Sequence, residues 1–209
     1  MSKSPSKKSG YTKKVIDHFK NPRNIGAIED ADVTSKVGGV ACGHLIKLYL
    51  KFVADHIDDI KFESNGCVFC IATSSMMTEI VKGKTIDEAR KVTFKDIAEE
   101  FGGLSRIKLH AILCRQGLEA TFLKYEARTG EGKIDESFVI EMLRGVLDPV
   151  EGVDVISAEI VQSVTVEEGK KIVIGVNAKA GSELARSITD DIREAFEGLD
   201  LELMLNFRE

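Results

Sequence analysis

Every cysteine in the chain, Cys42, Cys67, Cys70 and Cys114, falls in one of three short stretches that also hold two of its four histidines, His44 and His110. Thiolate and neutral imidazole are the donors that soft and borderline metals prefer. Ala41-Cys42-Gly43-His44 sets two donors at i and i+2 beside a glycine, where a loop can bend both toward one ion. Cys67-Val68-Phe69-Cys70 spaces two thiols by one turn of chain, which suits zinc, an iron-sulfur cluster or a redox dithiol. His110 and Cys114 are four residues apart and would share a helix face. One metal or iron-sulfur site assembled from three separated segments is the chemistry these residues permit. Bland alternatives stand beside it. Cys70 and Cys114 lie among apolar residues and could be small buried hydrophobes, and His44 could simply cap a strand. His18 and His56, far from any cysteine, read as ordinary surface or helix-face histidines.

The elements that must position these groups follow from hydrophobic period. Residues 11–20 carry Val15, Ile16 and Phe19 at helical spacing, and Asn21-Pro22-Arg23-Asn24 ends the pattern. Residues 45–53 and 57–63 are β-favouring and predict a small antiparallel sheet with Cys42 just before its first strand. Residues 71–81 turn helical, which puts Cys67 and Cys70 at a helix N-terminal end, where the helix dipole favours thiolate. Thr85 with Glu88, and Thr93 with Asp96, have the spacing of N-terminal caps for two short helices, the second stopped by Gly102-Gly103. Residues 105–126 predict a longer amphipathic helix bearing His110 and Cys114. Glycine-rich Val37-Gly38-Gly39-Val40 suggests that the loop carrying Cys42 is mobile.

No cysteine or histidine occurs after the polar, glycine-containing stretch 128–133, and a domain boundary is expected there. The division reads as a disordered tail (1–10), a first domain (11–128), a linker (129–136) and a second domain (137–209). The second contains a helix at 137–146, strands at 155–166 and 171–176, a helix through Leu184, Ile188, Ile192 and Phe196, and a last strand at 201–207. That is an αββαβ unit with helices on one sheet face, so the class is α+β throughout. With 30% charged and 43% hydrophobic residues, 209 in all, the chain has the makings of two globular domains. A net charge of -5 gives no general reason to bind nucleic acid, and no apolar run is long enough for a membrane span. Without an export signal at the start, the expected home is the reducing cytoplasm, where thiols stay free.

At the same residues the first domain resembles the IscU/NifU family of iron-sulfur cluster assembly scaffolds. The likeness runs from about Tyr11 to Tyr125 through Val15-Ile16-Asp17-His18-Phe19-Lys20-Asn21-Pro22-Arg23-Asn24-Ile25-Gly26, Ala41-Cys42-Gly43, Gly66-Cys67, Glu79-Ile80-Val81-Lys82-Gly83-Lys84 and Lys108-Leu109-His110. In that family three cysteines, an aspartate and a histidine form the site where a cysteine desulfurase delivers sulfur and a [2Fe-2S] cluster is built, and the site can also hold zinc. The resemblance carries Cys42 and Cys67 onto the first two cysteines and His110 onto the histidine. It also exposes departures. His44 stands where the family has aspartate, the cysteine expected directly after His110 is missing, and Cys70 and Cys114 are additions, either of which could replace it. Imidazole in place of carboxylate removes a negative charge, and histidine ligation raises a cluster's reduction potential. The family's chaperone-recognition segment reads Leu104-Ser105-Arg106-Ile107-Lys108 here, without its two prolines. The second domain resembles the small domain of SufT, PaaD and related maturation factors through Met142 to Pro149 and Gly169 to Ile174. It has Ala180-Gly181-Ser182 where those relatives often have a cysteine.

The expectation is a non-enzymatic scaffold or carrier. It would bind iron and sulfide through Cys42, His44, Cys67, Cys70, His110 and Cys114 and pass the cluster to apoproteins, with a homo-oligomer as a further possibility. A zinc-binding adaptor on the same fold, and a thiol/disulfide protein using Cys67 and Cys70, are the rival readings.

Overall fold

The computed structural model describes residues 11–39, 43–103 and 105–208. The tail 1–10, expected to be disordered, lies outside the described residues. Helix α1 (Lys13–Lys20) starts where the Thr12 hydroxyl accepts the Val15 N–H at 3.2 Å, and it buries Val15 and His18. Strands β1 (Val33–Gly39), β2 (His44–Val53) and β3 (His56–Ser64) form an antiparallel sheet in chain order. Ile46, Leu48 and Leu50 of β2 and Ile57, Ile60 and Phe62 of β3 are fully buried on its inner side. Packed into that side is α2 (Val68–Val81), buried along most of its length, with the polar residues Thr73, Ser74, Ser75 and Thr78 buried among its apolar ones.

Two short helices, α3 (Ile86–Arg90) and α4 (Phe94–Glu100), each begin with the anticipated reciprocal cap, Thr85 with Glu88 and Thr93 with Asp96. Gly102 and Gly103 both adopt positive φ, which ends α4 at little steric cost. Then α5 (Ser105–Thr129) runs 25 residues without a break. Residues 105–108, where the family's prolines are lost, are helical; Leu104 lies outside the described residues. Arg90 ties α3 to α5 through a two-pronged pair with Glu126 at 2.7 Å and a bond to Glu119 at 3.0 Å.

The second sheet holds β4 (Val161–Glu167), β5 (Lys171–Lys179) and β6 (Glu202–Arg208), with α6 (Glu136–Leu143) before it and α7 (Glu183–Ala195) connecting β5 to β6. β4 pairs antiparallel and β6 parallel to the central β5. Ile172, Ile174, Val176 and Ala178 of β5 face Ala185, Ile188, Ile192 and Ala195 of α7, so one sheet face carries the helices and the class is α+β as read.

Three expectations need correction. The sequence reading places no strand before residue 45, yet Val33–Gly39 pair with β2; the inward position Ser35, bonded to Thr121 and Gly117, interrupts the apolar alternation that would have revealed the strand, and the Cys42 loop expected to be mobile lies outside the described residues. β4 begins at Val161 rather than at 155, because Asp154 turns the chain by accepting the Ser157 and Ala158 N–H groups and Glu159 sits at φ 54°. α6 ends at Leu143, three residues early, where the Gly145 and Val146 N–H groups bond back by only three residues and tighten the turn.

The two sheets share a boundary. The Gly38 N–H donates to the Gly145 carbonyl at 2.7 Å, Lys36 of β1 pairs with Glu194 of α7, and Val37 is flanked by Gly117 and Gly145. A Cβ on Gly145 would lie 2.7 Å from Val37 Cγ1 and 3.3 Å from the Met142 carbonyl. Gly145→Ala is therefore expected to cost about 1–3 kcal/mol, read by denaturant melts, and Val37→Ala in the same chain to return part of it. Simple additivity of the two losses would disprove the clash.

Lys124, on the same boundary, is only 5% exposed. Burial pulls its pKa down to about 8, with Glu197 opposing, Arg128 adding to the depression and Glu194 opposing.

Candidate metal centre

At the end of β3 the Ser64 hydroxyl donates to the Leu45 carbonyl at 2.7 Å and accepts the Gly66 N–H at 3.1 Å, closing the turn that leads into α2. Cys67 is the N-cap residue, extended at φ -71° and ψ 175°, and its side chain makes no cap bond. Its thiol is exposed. Three residues on, Cys70 is fully buried and held close under the turn: a Cβ on Gly66 would meet Cys70 Cβ at 2.6 Å and Sγ at 2.8 Å. Glycine at 66 is what lets this thiol approach the backbone.

His110, in the second turn of α5, brings Nε2 to 3.2 Å from Cys67 Sγ. Cys67, Cys70 and His110 each offer a donor atom within 4.8 Å of the others. Zinc or iron bonds of about 2.0–2.3 Å place tetrahedral donors somewhat closer than that, so small side-chain rotations suffice and two sulfurs with one imidazole nitrogen fit either metal. Burial pushes the Cys70 thiol well above its usual pKa, and the nearby Cys67 and Cys114 thiols push the same way. A bound cation would reverse that effect, because coordination deprotonates a thiol outright.

Cys114 does not join the group. It is fully buried one turn beyond His110, with Thr73 Oγ1 at 3.2 Å and Ser74 Oγ at 3.4 Å. Burial raises its pKa while those hydroxyls pull the other way. Here the small-hydrophobe alternative describes its surroundings. Cys42 lies outside the described residues. His44 opens β2, opposite Gly39 in the register. His56 is exposed beside Asp55, at 2.6 Å, as an ordinary surface histidine. His18 is not a surface residue: it is 3% exposed, its Nδ1 lies 2.9 Å from Ser75 Oγ, and its ring meets Phe101 edge-on. Burial lowers its pKa, so it favours the neutral form.

One participant was missed. Phe69, between the two thiols, stacks on His110 at 5.6 Å between ring centres, and Tyr11 covers Phe69 at 5.0 Å. An aromatic inside Cys-x-x-Cys was the available signal; its partner across the fold was not.

This α+β frame gathers two thiols and an imidazole at the start of its central helix, a donor set of the kind that could hold a metal ion. The chain belongs to the family described as the NifU-like N terminal domain, whose profile matches residues 10–132. A second profile, described as iron-sulfur cluster assembly protein, matches residues 136–202. The chain is 48% identical over 127 residues to the iron-sulfur cluster assembly scaffold protein IscU 1 of Archaeoglobus fulgidus, a match spanning 60% of this chain and 82% of that protein. It is 42% identical over 126 residues to IscU of Haemophilus influenzae, spanning 57% and 98%. Against the nitrogen fixation protein NifU of Trichormus azollae it is 42% identical over 124 residues, spanning 55% of this chain and 41% of the relative.

Proposed function

We propose that this protein is an iron-sulfur cluster assembly scaffold, on which a [2Fe-2S] cluster is built as cargo and passed on. The observation that carries the reading is the convergence of Cys67, Cys70 and His110 within 4.8 Å, in a chain of the NifU-like family. In this reading Cys67, Cys70 and His110 hold iron together with Cys42, which enters on its sequence alone. His44, two residues beyond Cys42, tunes the shell. Cys70 stands in for the cysteine missing after His110, and Cys114 is structural. A cysteine desulfurase supplies sulfur and apoproteins receive the cluster, in the cytoplasm. The unit at 137–209, joined through 129–136 to the one at 11–128, recruits partners. Among the described residues no helix is long and apolar enough to cross a membrane.

The test is anaerobic reconstitution with ferrous iron and inorganic sulfide, followed by metal and sulfide analysis and a visible spectrum. Stoichiometric iron and sulfide with sulfur-to-iron absorption is the expected result. Tightly held zinc that resists exchange would replace this reading with the adaptor. Two variants discriminate the thiols: Cys70→Ser should lose most of the bound iron, roughly tenfold in affinity or more, while Cys114→Ser should keep it. Equal losses would remove the distinction.

A further inference from the structure

We propose that Cys67 and Cys70 form a two-electron couple that releases sulfide from sulfane sulfur placed on Cys67. The inference rests on the scaffold reading, because only cluster building makes sulfide the required product. A cluster takes sulfur as sulfide, whereas sulfur carried on a thiol as a persulfide is two electrons more oxidised. Those electrons must come from somewhere, and this chain holds a dithiol at the point of delivery.

The arrangement is asymmetric in the way such a couple needs. Cys67 is exposed, outside the helix proper and free of any cap bond, so a donor persulfide can reach it. His110 Nε2 lies 3.2 Å from the Cys67 sulfur and orients it at the site. Cys70 is inaccessible to an external donor but its donor atom lies within 4.8 Å of that of Cys67. Residues three apart at a helix start bring their Cβ atoms to about 5–6 Å, and the extended N-cap residue can turn inward to close the remaining gap to a disulfide. Cys114, packed against Thr73 and Ser74, is not positioned for the exchange.

The step balances within the chain. Cys67 sulfur attacks the outer sulfur of a donor persulfide, R–S–SH; the Cys67 Sγ–S bond forms, the R–S bond to that sulfur breaks, and the donor leaves as R–SH with the Cys67 proton. Cys70 sulfur then attacks Cys67 Sγ. The Cys67 Sγ–Cys70 Sγ bond forms, the bond from Cys67 Sγ to the outer sulfur breaks, and that sulfur departs with the electron pair and the Cys70 proton as hydrogen sulfide. Two thiol sulfurs are oxidised by one electron each and one sulfane sulfur is reduced by two. An external dithiol reductant must reopen the disulfide before Cys70 can bind iron, so each sulfide released consumes one dithiol equivalent.

The experiment uses the full chain, reduced, desalted and kept anaerobic, mixed with one equivalent of glutathione persulfide. Free sulfide is measured, and thiol states are mapped by alkylation and peptide mass. Wild type should release about one sulfide per chain and carry a Cys67–Cys70 disulfide, whereas Cys70→Ser should stop at the Cys67 persulfide with roughly tenfold slower release. Cys114→Ser should behave as wild type. A long-lived Cys67 persulfide in wild type, or equal release from Cys70→Ser, overturns the proposal; the wild-type disulfide map decides it even if a variant fails to fold. Reconstitution with iron and inorganic sulfide bypasses the persulfide. A chain that holds a cluster but releases no sulfide refutes this inference alone, and one that holds none refutes the scaffold reading.

Discussion

Cys67→Ala should leave a chain that folds normally and holds less than about a tenth of the wild-type iron and sulfide after anaerobic reconstitution. The two halves of that expectation have separate physical grounds. Cys67 is exposed, caps nothing with its side chain and contributes no core packing, so its loss should change stability by no more than about 0.5 kcal/mol. The same thiol sits against His110 Nε2 and within reach of Cys70, so its removal leaves the described donor group with one sulfur and one nitrogen. A thermal melt alongside the iron and sulfide assays separates the effects. Full retention of iron and sulfide in this variant would sink the scaffold assignment, whatever the melt shows.

The largest expected gain in stability comes from a residue remote from the metal chemistry. Lys124→Met should melt about 6–12 °C above wild type at pH 7. The folded value of about 8 against an ordinary 10.5 corresponds to about 3 kcal/mol that the folded chain forgoes to keep this ammonium protonated in a buried position. The sign follows from proton counting. Between about pH 8 and 10.5 the unfolded chain binds a proton that the folded chain has released, so wild-type stability rises with pH across that window and the cost vanishes above it. Methionine has similar length and no charge, so its advantage should be full below pH 8 and gone near pH 10.5. Melting curves at pH 7 and pH 10 check this; an advantage that persists unchanged at pH 10 would mean that packing, not charge burial, explains it.

The legible parts of the chain were those where one signal acted locally. The caps Thr85/Glu88 and Thr93/Asp96 needed only their own spacing, and the αββαβ order needed only period and turn chemistry. β1 escaped because its inward Ser35 is satisfied by Thr121 and Gly117, partners more than 80 residues away. Which of the surface and helix-face alternatives His18 takes was hidden for the same reason: Ser75 and Phe101, which bury it on a face of α1, are remote in sequence. Within the site, the thiols and His110 could be picked out by residue type. The choice between Cys70 and Cys114 could not, because both lie in apolar surroundings and only the tertiary fold determines which of them Gly66 admits next to Cys67 and which the Thr73 and Ser74 hydroxyls retain.

The unbroken length of α5 has a mechanical consequence. Lys124 lies fourteen positions beyond His110, about 21 Å along a single stiff rod whose first turns carry the imidazole and which also packs against α6. A partner that shifts α6 and α7 must either be absorbed by the connection at 130–135 or tilt that rod. In the second case an ångström of travel at one end displaces an imidazole that sits 3.2 Å from a thiol at the other. In that case the length of the helix would carry a displacement at the second sheet to the Cys67–His110 contact.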